Sequence, residues 1–224
     1  MTTSGAWRIT LTGDAAVTLA FPARIDPDVS ARVVAVADAV RAARYPGVRD
    51  VVPTYHAVTV YFDPLRSDLE QVCAGLRRAA SIAPVSSGEP EEIVVPVRYG
   101  GAEGPDLADV AAYAGVTPQD VVRLHTARPY RVYLLGFLAG FPYMGTVDPR
   151  IAMPRRATPR QAVAAGSVGI AGAQTGIYPA TAPGGWQVIG RATVAGFDPR
   201  RDPPCPWRPG DRVRFQSVQE ATAG

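Results

Sequence analysis

The sequence predicts an α+β domain followed by a mainly β domain of barrel or sandwich type. Three observations carry this. In the first part the signals run strand, strand, helix, and then repeat in that order. A short polar stretch, "APVSSGEPEE" at 83–92, then interrupts the chain with two prolines. Beyond Gly136 helical periodicity ceases, and short apolar runs alternate with Gly and Pro.

The elements follow in order. "WRITLT" (7–12) alternates like a strand, and "AVTLAF" (16–21) follows the Gly13-Asp14 turn. Asp26 then offers an N-cap with Pro27 at the first helical position, opening a helix that stops before Pro46-Gly47. "VRDVVPTY" and "AVTVYFD" read as two further strands. Ser67 to Glu70, "SDLE", reads as a capping box for a second helix ending near Ala80. After the linker come a strand "IVVPVRY" and a short helix in "GPDLADVAAYAG". A second short helix is opened by Thr117 with Pro118, and the strand "YRVYLLGF" follows it. "PGDRVRF" is a turn feeding a last strand.

Residues 165–191, "AGSVGIAGAQTGIYPATAPGGWQVIGR", contain nine Gly or Pro in 27 positions. Apolar side chains such as Val168, Ile170, Ile177, Tyr178, Trp186 and Ile189 are spread through them, and disordered linkers are poor in such residues. The stretch therefore reads as short strands and tight turns, with Gly where backbones approach closely.

Composition excludes several function classes. The 224-residue chain is 47% hydrophobic and 19% charged, an ordinary globular balance. All 23 basic residues are Arg. Without lysine there is no P-loop, no Schiff-base centre and no Ser-Lys hydrolase centre. The net charge of +3 comes without a basic run interleaved with aromatics, so nucleic acid is not an expected partner. No apolar run reaches the ~18 residues of a membrane span, and the N-terminus lacks a signal-like segment, so the expected location is cytoplasmic. Cys73 and Cys205 do not form a disulfide framework. Two His, two Cys and no carboxylate cluster give no reason to expect a metal centre.

Four segments together carry a resemblance: "GPDLADVAAYAGVTPQDVVRLHT", "YRVYLLGFLAGFPYMGTVDPRIAMPRRATPR", the 165–191 stretch, and "PGDRVRF". On them the chain resembles the 5-oxoprolinase B-subunit family (PxpB/KipI-like, also described as allophanate hydrolase subunit 1 or a carboxyltransferase-domain type). It departs where the family usually has Pro, at Ala139 and at Ala164 or Ala165, which removes no polar group. The resemblance implies a ferredoxin-like α+β domain over 1–86 and a cyclophilin-like β-barrel over 87–224. It implies one component, inactive alone, of a complex that converts 5-oxo-L-proline to L-glutamate with ATP as co-substrate. The implied partners are a homologous C subunit, of the allophanate hydrolase subunit 2 type, and an A subunit of the LamB/YcsF type. Two alternatives go with it: a role in allophanate or urea-carboxylase chemistry, and inhibition of a sensor histidine kinase.

Candidate site residues fall in the barrel half. Arg155, Arg156 and Arg160 in "MPRRATPR" are candidates for binding an anionic substrate, because the guanidinium fork matches a carboxylate or phosphate; the alternative is a solvated loop face. Gln174 and Tyr178 in "AQTGIYP" are catalytic candidates as donors to a developing oxyanion. His125 is the third, as a general base; its alternative role is to complement the dipole at a helix C-terminus. Gly184 and Gly185 would let backbone N–H groups approach a ligand, with Trp186 as a wall or as core. Tyr143 belongs with Phe137 and Phe141 to an aromatic group that would line a pocket or a partner interface.

Overall fold

The computed structural model describes residues 7–82, 92–194 and 196–218. The chain divides into two compact units, Met1–Glu89 and Pro90–Gly224. The expected division after residue 86 lies outside the described residues.

The first unit contains β1 (Arg8–Leu11), β2 (Ala16–Ala20), α1 (Pro27–Ala43), β3 (Val48–Pro53), β4 (Ala57–Phe62) and α2 (Leu69–Ile82). Its four strands form one antiparallel sheet in the order β1-β2-β4-β3. Alternate residues of β2 and β4, namely Val17, Leu19, Val58, Val60 and Phe62, are buried, as the period of two requires. Against them α1 sets Val29, Val33, Val36, Ala37 and Val40, a stripe at helical spacing. Asp26 caps α1 as expected, its carboxylate accepting from Asp28 N at 2.9 Å and Val29 N at 3.1 Å. The start of α2 departs from expectation. Asp68, not Ser67, receives the first-turn amide, from Glu70 N at 2.9 Å. Ser67 is instead buried, its Cβ closely approached by Gly47.

The second unit contains β5 (Glu92–Tyr99), α3 (Leu107–Ala114), α4 (Pro118–Thr126), β6 (Tyr130–Leu135), β7 (Pro142–Gly145), a 3-10 turn (Pro149–Ile151) and β8 (Arg160–Val163). β9 (Ser167–Ala171), β10 (Gln174–Ile177), β11 (Ala182–Gly184), β12 (Gln187–Ala192) and β13 (Arg212–Ser217) complete it. Seven strands close into a barrel in the order β10-β7-β6-β13-β5-β12-β9, and β8 pairs separately with β11. Closure depends on β13, which runs parallel to β5 and antiparallel to β6. Closure removes the unpaired edges that an open sheet would expose. The 165–191 stretch supplies β9 to β11 and most of β12, so it is strand and turn as expected.

Val95, Val97, Val132, Met144, Ile170, Ile177, Ile189 and Phe215 belong to the main core of this unit, with Val110 and Val121 of the two helices packed among them. α4 carries the capping box expected at Thr117, completed by Asp120. Gly115 ends α3 at φ 65°, the left-handed position that glycine takes without strain.

Candidate functional site

The best-defined polar centre of the barrel unit is built on Asp106, immediately before α3. Its side chain is 2% exposed. It accepts from Arg156 Nη1 at 3.0 Å, Arg160 Nη1 at 2.8 Å and Arg160 Nη2 at 2.7 Å. The Val188 amide donates to it at 2.6 Å, and Asp106 N donates back to Val188 O at 2.9 Å. One buried anion thus holds two cations, and the surplus is positive. The Arg160 guanidinium is held above its ordinary pKa first by its hydrogen bonds to Asp106.

The neighbouring loop is tied down on both sides of Arg155. Pro154 O accepts from Gln187 Nε2 at 2.9 Å, and Arg156 N donates to Gly185 O at 2.8 Å. Arg155 itself is exposed and makes no side-chain hydrogen bond or ion pair among the described residues. Arg150, two residues before Ala152, is committed elsewhere: Asp148 accepts from its Nε and Nη2, both at 2.9 Å. Those bonds keep the Asp148 carboxyl well below the usual carboxylate range.

An aromatic wall adjoins the clamp through the β8–β11 pair, where Arg160 stands opposite Gly184. Phe141, 1% exposed, is the centre of that wall. Its ring meets Tyr143 at 4.9 Å, Tyr178 at 5.2 Å and Trp186 at 5.2 Å, all edge to face. Burial, the largest influence, raises the Tyr178 hydroxyl above its ordinary pKa, opposed by a hydrogen bond from the Trp186 amide. Phe137 extends the wall from φ 66° with 58% of its surface exposed. A bulky residue at positive φ is strained, and such strain concentrates at ligand and partner sites.

The two glycines of "PGGW" differ. A Cβ at Gly184 would collide with the Tyr178 hydroxyl, whereas a Cβ at Gly185 would have its nearest neighbour, Pro159 Cγ, at 3.6 Å. Gly184→Ala is expected to destabilise the barrel unit by about 1–3 kcal/mol through overpacking, and Gly185→Ala to stay within about 0.5 kcal/mol. Urea unfolding of both variants checks this; equal losses would remove the special role of Gly184.

The structure gathers Arg155, Arg156, Arg160, Tyr143, Tyr178, Gly184, Gly185 and Trp186 on this face. It does not gather the other two catalytic candidates. Gln174 pairs with Gly145 and Ala171 at the far end of β10, about 13 Å from Tyr178 at the strand rise of ~3.3 Å per residue. His125 needs a larger correction. It is fully buried inside the barrel unit. Its Nδ1 lies 2.8 Å from the Tyr99 hydroxyl and its Nε2 lies 2.9 Å from Thr175 Oγ1. Burial lowers its pKa to about 3. A neutral imidazole with both nitrogens engaged and no exposed surface is a core group, not a general base for an outside substrate. Trp186, 3% exposed, is core as well as wall.

Two members of the site carry no signal of the kind used above. Asp106 reads in sequence as an ordinary helix start, and Gln187 as one polar residue in the apolar run "WQVIG". A polar residue isolated among buried apolar neighbours is the clue that points to Gln187. Among the described residues no group of three or more His, Cys, Asp or Glu side chains comes together.

The second unit is thus a closed barrel that presents an Asp-locked arginine pair beside an aromatic wall. The chain belongs to the family described as carboxyltransferase domain, subdomain C and D, which matches residues 7–207. It is 38% identical over 225 residues to the B subunit of 5-oxoprolinase from Bacillus subtilis (strain 168), covering 96% of this chain and 94% of that one. It is 45% identical over 175 residues to the B subunit of 5-oxoprolinase from Escherichia coli O157:H7, covering 78% and 80%. The crystal structure of TTHA0988 superposes with a TM-score of 0.83 at 37% identity, over 93% of this chain; the chain spans only 41% of that longer protein. The urea amidolyase of K. lactis shares the fold at a TM-score of 0.77 and 20% identity, over 98% of this chain and 15% of that one.

Proposed function

We propose that this chain is the B subunit of an ATP-dependent 5-oxoprolinase, which opens 5-oxo-L-proline to L-glutamate while ATP is hydrolysed to ADP and phosphate. The observation that carries the reading is the likeness to the 5-oxoprolinase B subunit of Bacillus subtilis, which runs through 96% of this chain and 94% of the relative. That relative's being one subunit supports a complex. In our reading the partners are a homologous barrel protein, the C subunit, and a LamB/YcsF-type protein, the A subunit. The chain is inactive alone, in the cytoplasm. ATP is a co-substrate of the assembly. With no lysine, this chain lacks the residue that a conventional phosphate-binding loop uses, so the phosphoryl chemistry belongs to the assembly. The strand-strand-helix repeat of the first unit and the closed barrel of the second support the ferredoxin-like and cyclophilin-like descriptions, with the division near residue 86.

In this reading Arg155 takes the substrate carboxylate, while Arg156 and Arg160, oriented by Asp106, set the positive field around it. Tyr178, Tyr143 and Trp186 form the wall, and the Gly184-Gly185 backbone lets the ligand approach. The experiment is 5-oxoproline-dependent ADP release, measured on the chain alone and with its two partner proteins. Activity only in the full mixture supports the proposal. A stable but silent complex would send the reading to urea-like substrates, and no complex would favour a regulatory partner such as a kinase. Arg155→Ala is expected to lower kcat/KM about 10- to 100-fold, the worth of one hydrogen bond to a charged group, with thermal stability unchanged.

A further inference from the structure

Gln187, the first residue of β12, has two ends in different situations. The side chain is 3% exposed. Its Nε2 donates to Pro154 O at 2.9 Å. A carbonyl oxygen only accepts, so the amide nitrogen and not the oxygen must face Pro154. That bond fixes Oε1 on the opposite side, where it is buried and has no hydrogen-bond partner among the described residues. Native proteins rarely leave such an acceptor unmatched, and each instance asks for an explanation.

The surroundings supply one. Gln187 lines a groove of about 730 Å³ together with Asp109 and Tyr113 of α3 and with Met153, Arg155 and Arg156 of the loop. Arg156 shows the complementary feature. Its Nη1 is held by Asp106, while its Nε is buried and has no partner among the described residues. Two residues that each carry an unmatched buried polar atom, Gln187 and Arg156, thus line one groove with Arg155, whose guanidinium makes no hydrogen bond or ion pair among the described residues. Tyr113 of the same lining is 55% exposed.

We propose that this groove is a ligand subsite in which Gln187 Oε1 accepts the N–H of a cyclic or primary amide, while Arg155 and Arg156 Nε take a carboxylate on the same small molecule. The proposal rests on the 5-oxoprolinase reading and adds to it the residue that selects the lactam nitrogen. The selection is by polarity. A ring oxygen in place of N–H would set two acceptors face to face, with no donor between them. Sites built to hydrogen-bond a substrate group discriminate strongly against the isostere lacking it, because the buried partner is then left unpaired.

The test is calorimetric binding to the assembled complex. The two probes are 5-oxo-L-proline and its lactone counterpart, 5-oxotetrahydrofuran-2-carboxylate, in which oxygen replaces N–H. The wild type is expected to bind the lactam at least roughly tenfold more tightly. Gln187→Met, similar in volume but without the amide, is expected to lose the preference and bind lactam and lactone alike. Equal binding of lactam and lactone by the wild type would overturn the subsite, and so would full discrimination retained in Gln187→Met. The wild-type comparison can overturn the subsite even if the variant does not fold. ADP release with 5-oxoproline alongside equal binding overturns the subsite alone. Lactam-selective binding without ADP release keeps the subsite and overturns the 5-oxoprolinase reading. Binding of neither probe overturns both.

Discussion

Asp106→Ala is expected to destabilise the barrel unit by about 3–5 kcal/mol, the usual result of removing one partner from a buried ion pair. The geometry argues for the upper part of that range. The carboxylate takes four hydrogen bonds, three from guanidinium nitrogens and one from the Val188 amide, and the side chain is 2% exposed. Truncation leaves Arg156 and Arg160 facing each other without a counter-ion and leaves a buried backbone N–H unpaired. It also removes one of the two bonds that strap the start of α3 to β12, leaving only the backbone bond from the amide of residue 106 to Val188 O. Asp106→Asn keeps the volume and an acceptor for Val188 but removes the charge, so a smaller loss of about 1–3 kcal/mol is expected. The check is urea unfolding followed by tryptophan emission, since Trp186 and Trp207 both lie in this unit. Arg160→Ala should cost less than Asp106→Ala, because Arg160 keeps 28% of its side chain in contact with water and can be lost without burying a bare charge. The double variant should then show coupling of about 1 kcal/mol or more. A loss below about 1 kcal/mol for Asp106→Ala would mean that the clamp does not hold the site.

The elements legible in the sequence are those governed by short-range physics. Asp26-Pro27 and Thr117-Pro118 announce α1 and α4 because a cap and a fixed φ act within one turn. The alternation of β2 and β4 announces a half-buried sheet. The α2 start misleads within the same range: Ser67 and Asp68 are both good caps, and the close approach of Gly47 to Ser67 decides between them. What pattern cannot show is long-range pairing. β13 closes the barrel on β5 more than a hundred residues away, in parallel, and nothing in "RVRF" encodes that partner. The site follows the same division. Arg155, Arg156 and Arg160 read as one group because they are neighbours in sequence. The structure separates them, locking two on Asp106, some fifty residues earlier, while the third makes no ion pair among the described residues. Gln174 and Tyr178 look adjacent in "QTGIY", but Gln174 begins β10 and Tyr178 lies just past its other end, so the extended backbone holds them apart. His125 at the end of a helix reads as a general base or as a partner of the helix dipole; the turn of α4 aims it into the barrel instead.

That burial has a measurable consequence. Thr175 Oγ1 donates its only hydrogen to Gly169 O at 3.0 Å, so it must accept from His125 Nε2–H. Nδ1 is then the acceptor for the Tyr99 hydroxyl. The groups facing the ring are Tyr99, Tyr130, Thr175 and Phe215, none of them charged, and Phe215 stacks on it at 4.6 Å. Burial alone lowers the pKa to about 3. The unfolded chain protonates this histidine near pH 6.5, whereas the folded chain resists until about pH 3. The neutral form therefore contributes stability in full above pH 6.5. That contribution is lost as pH falls, by up to ~1.4 kcal/mol per pH unit and on the order of 4–5 kcal/mol in all. His125→Gln keeps one donor and one acceptor but nothing to protonate. It is expected to be less stable at about pH 7.5, having lost the stacked ring, and to show a shallower fall between about pH 6.5 and 5. Unfolding free energies of both proteins across that window give the difference in slope, and parallel curves would refute the assignment. In the assembled enzyme the same geometry leaves His125 no proton to exchange near neutrality. Any inflection of activity between about pH 5 and 8 should therefore survive His125→Gln, and an inflection that vanished with it would restore His125 as a base.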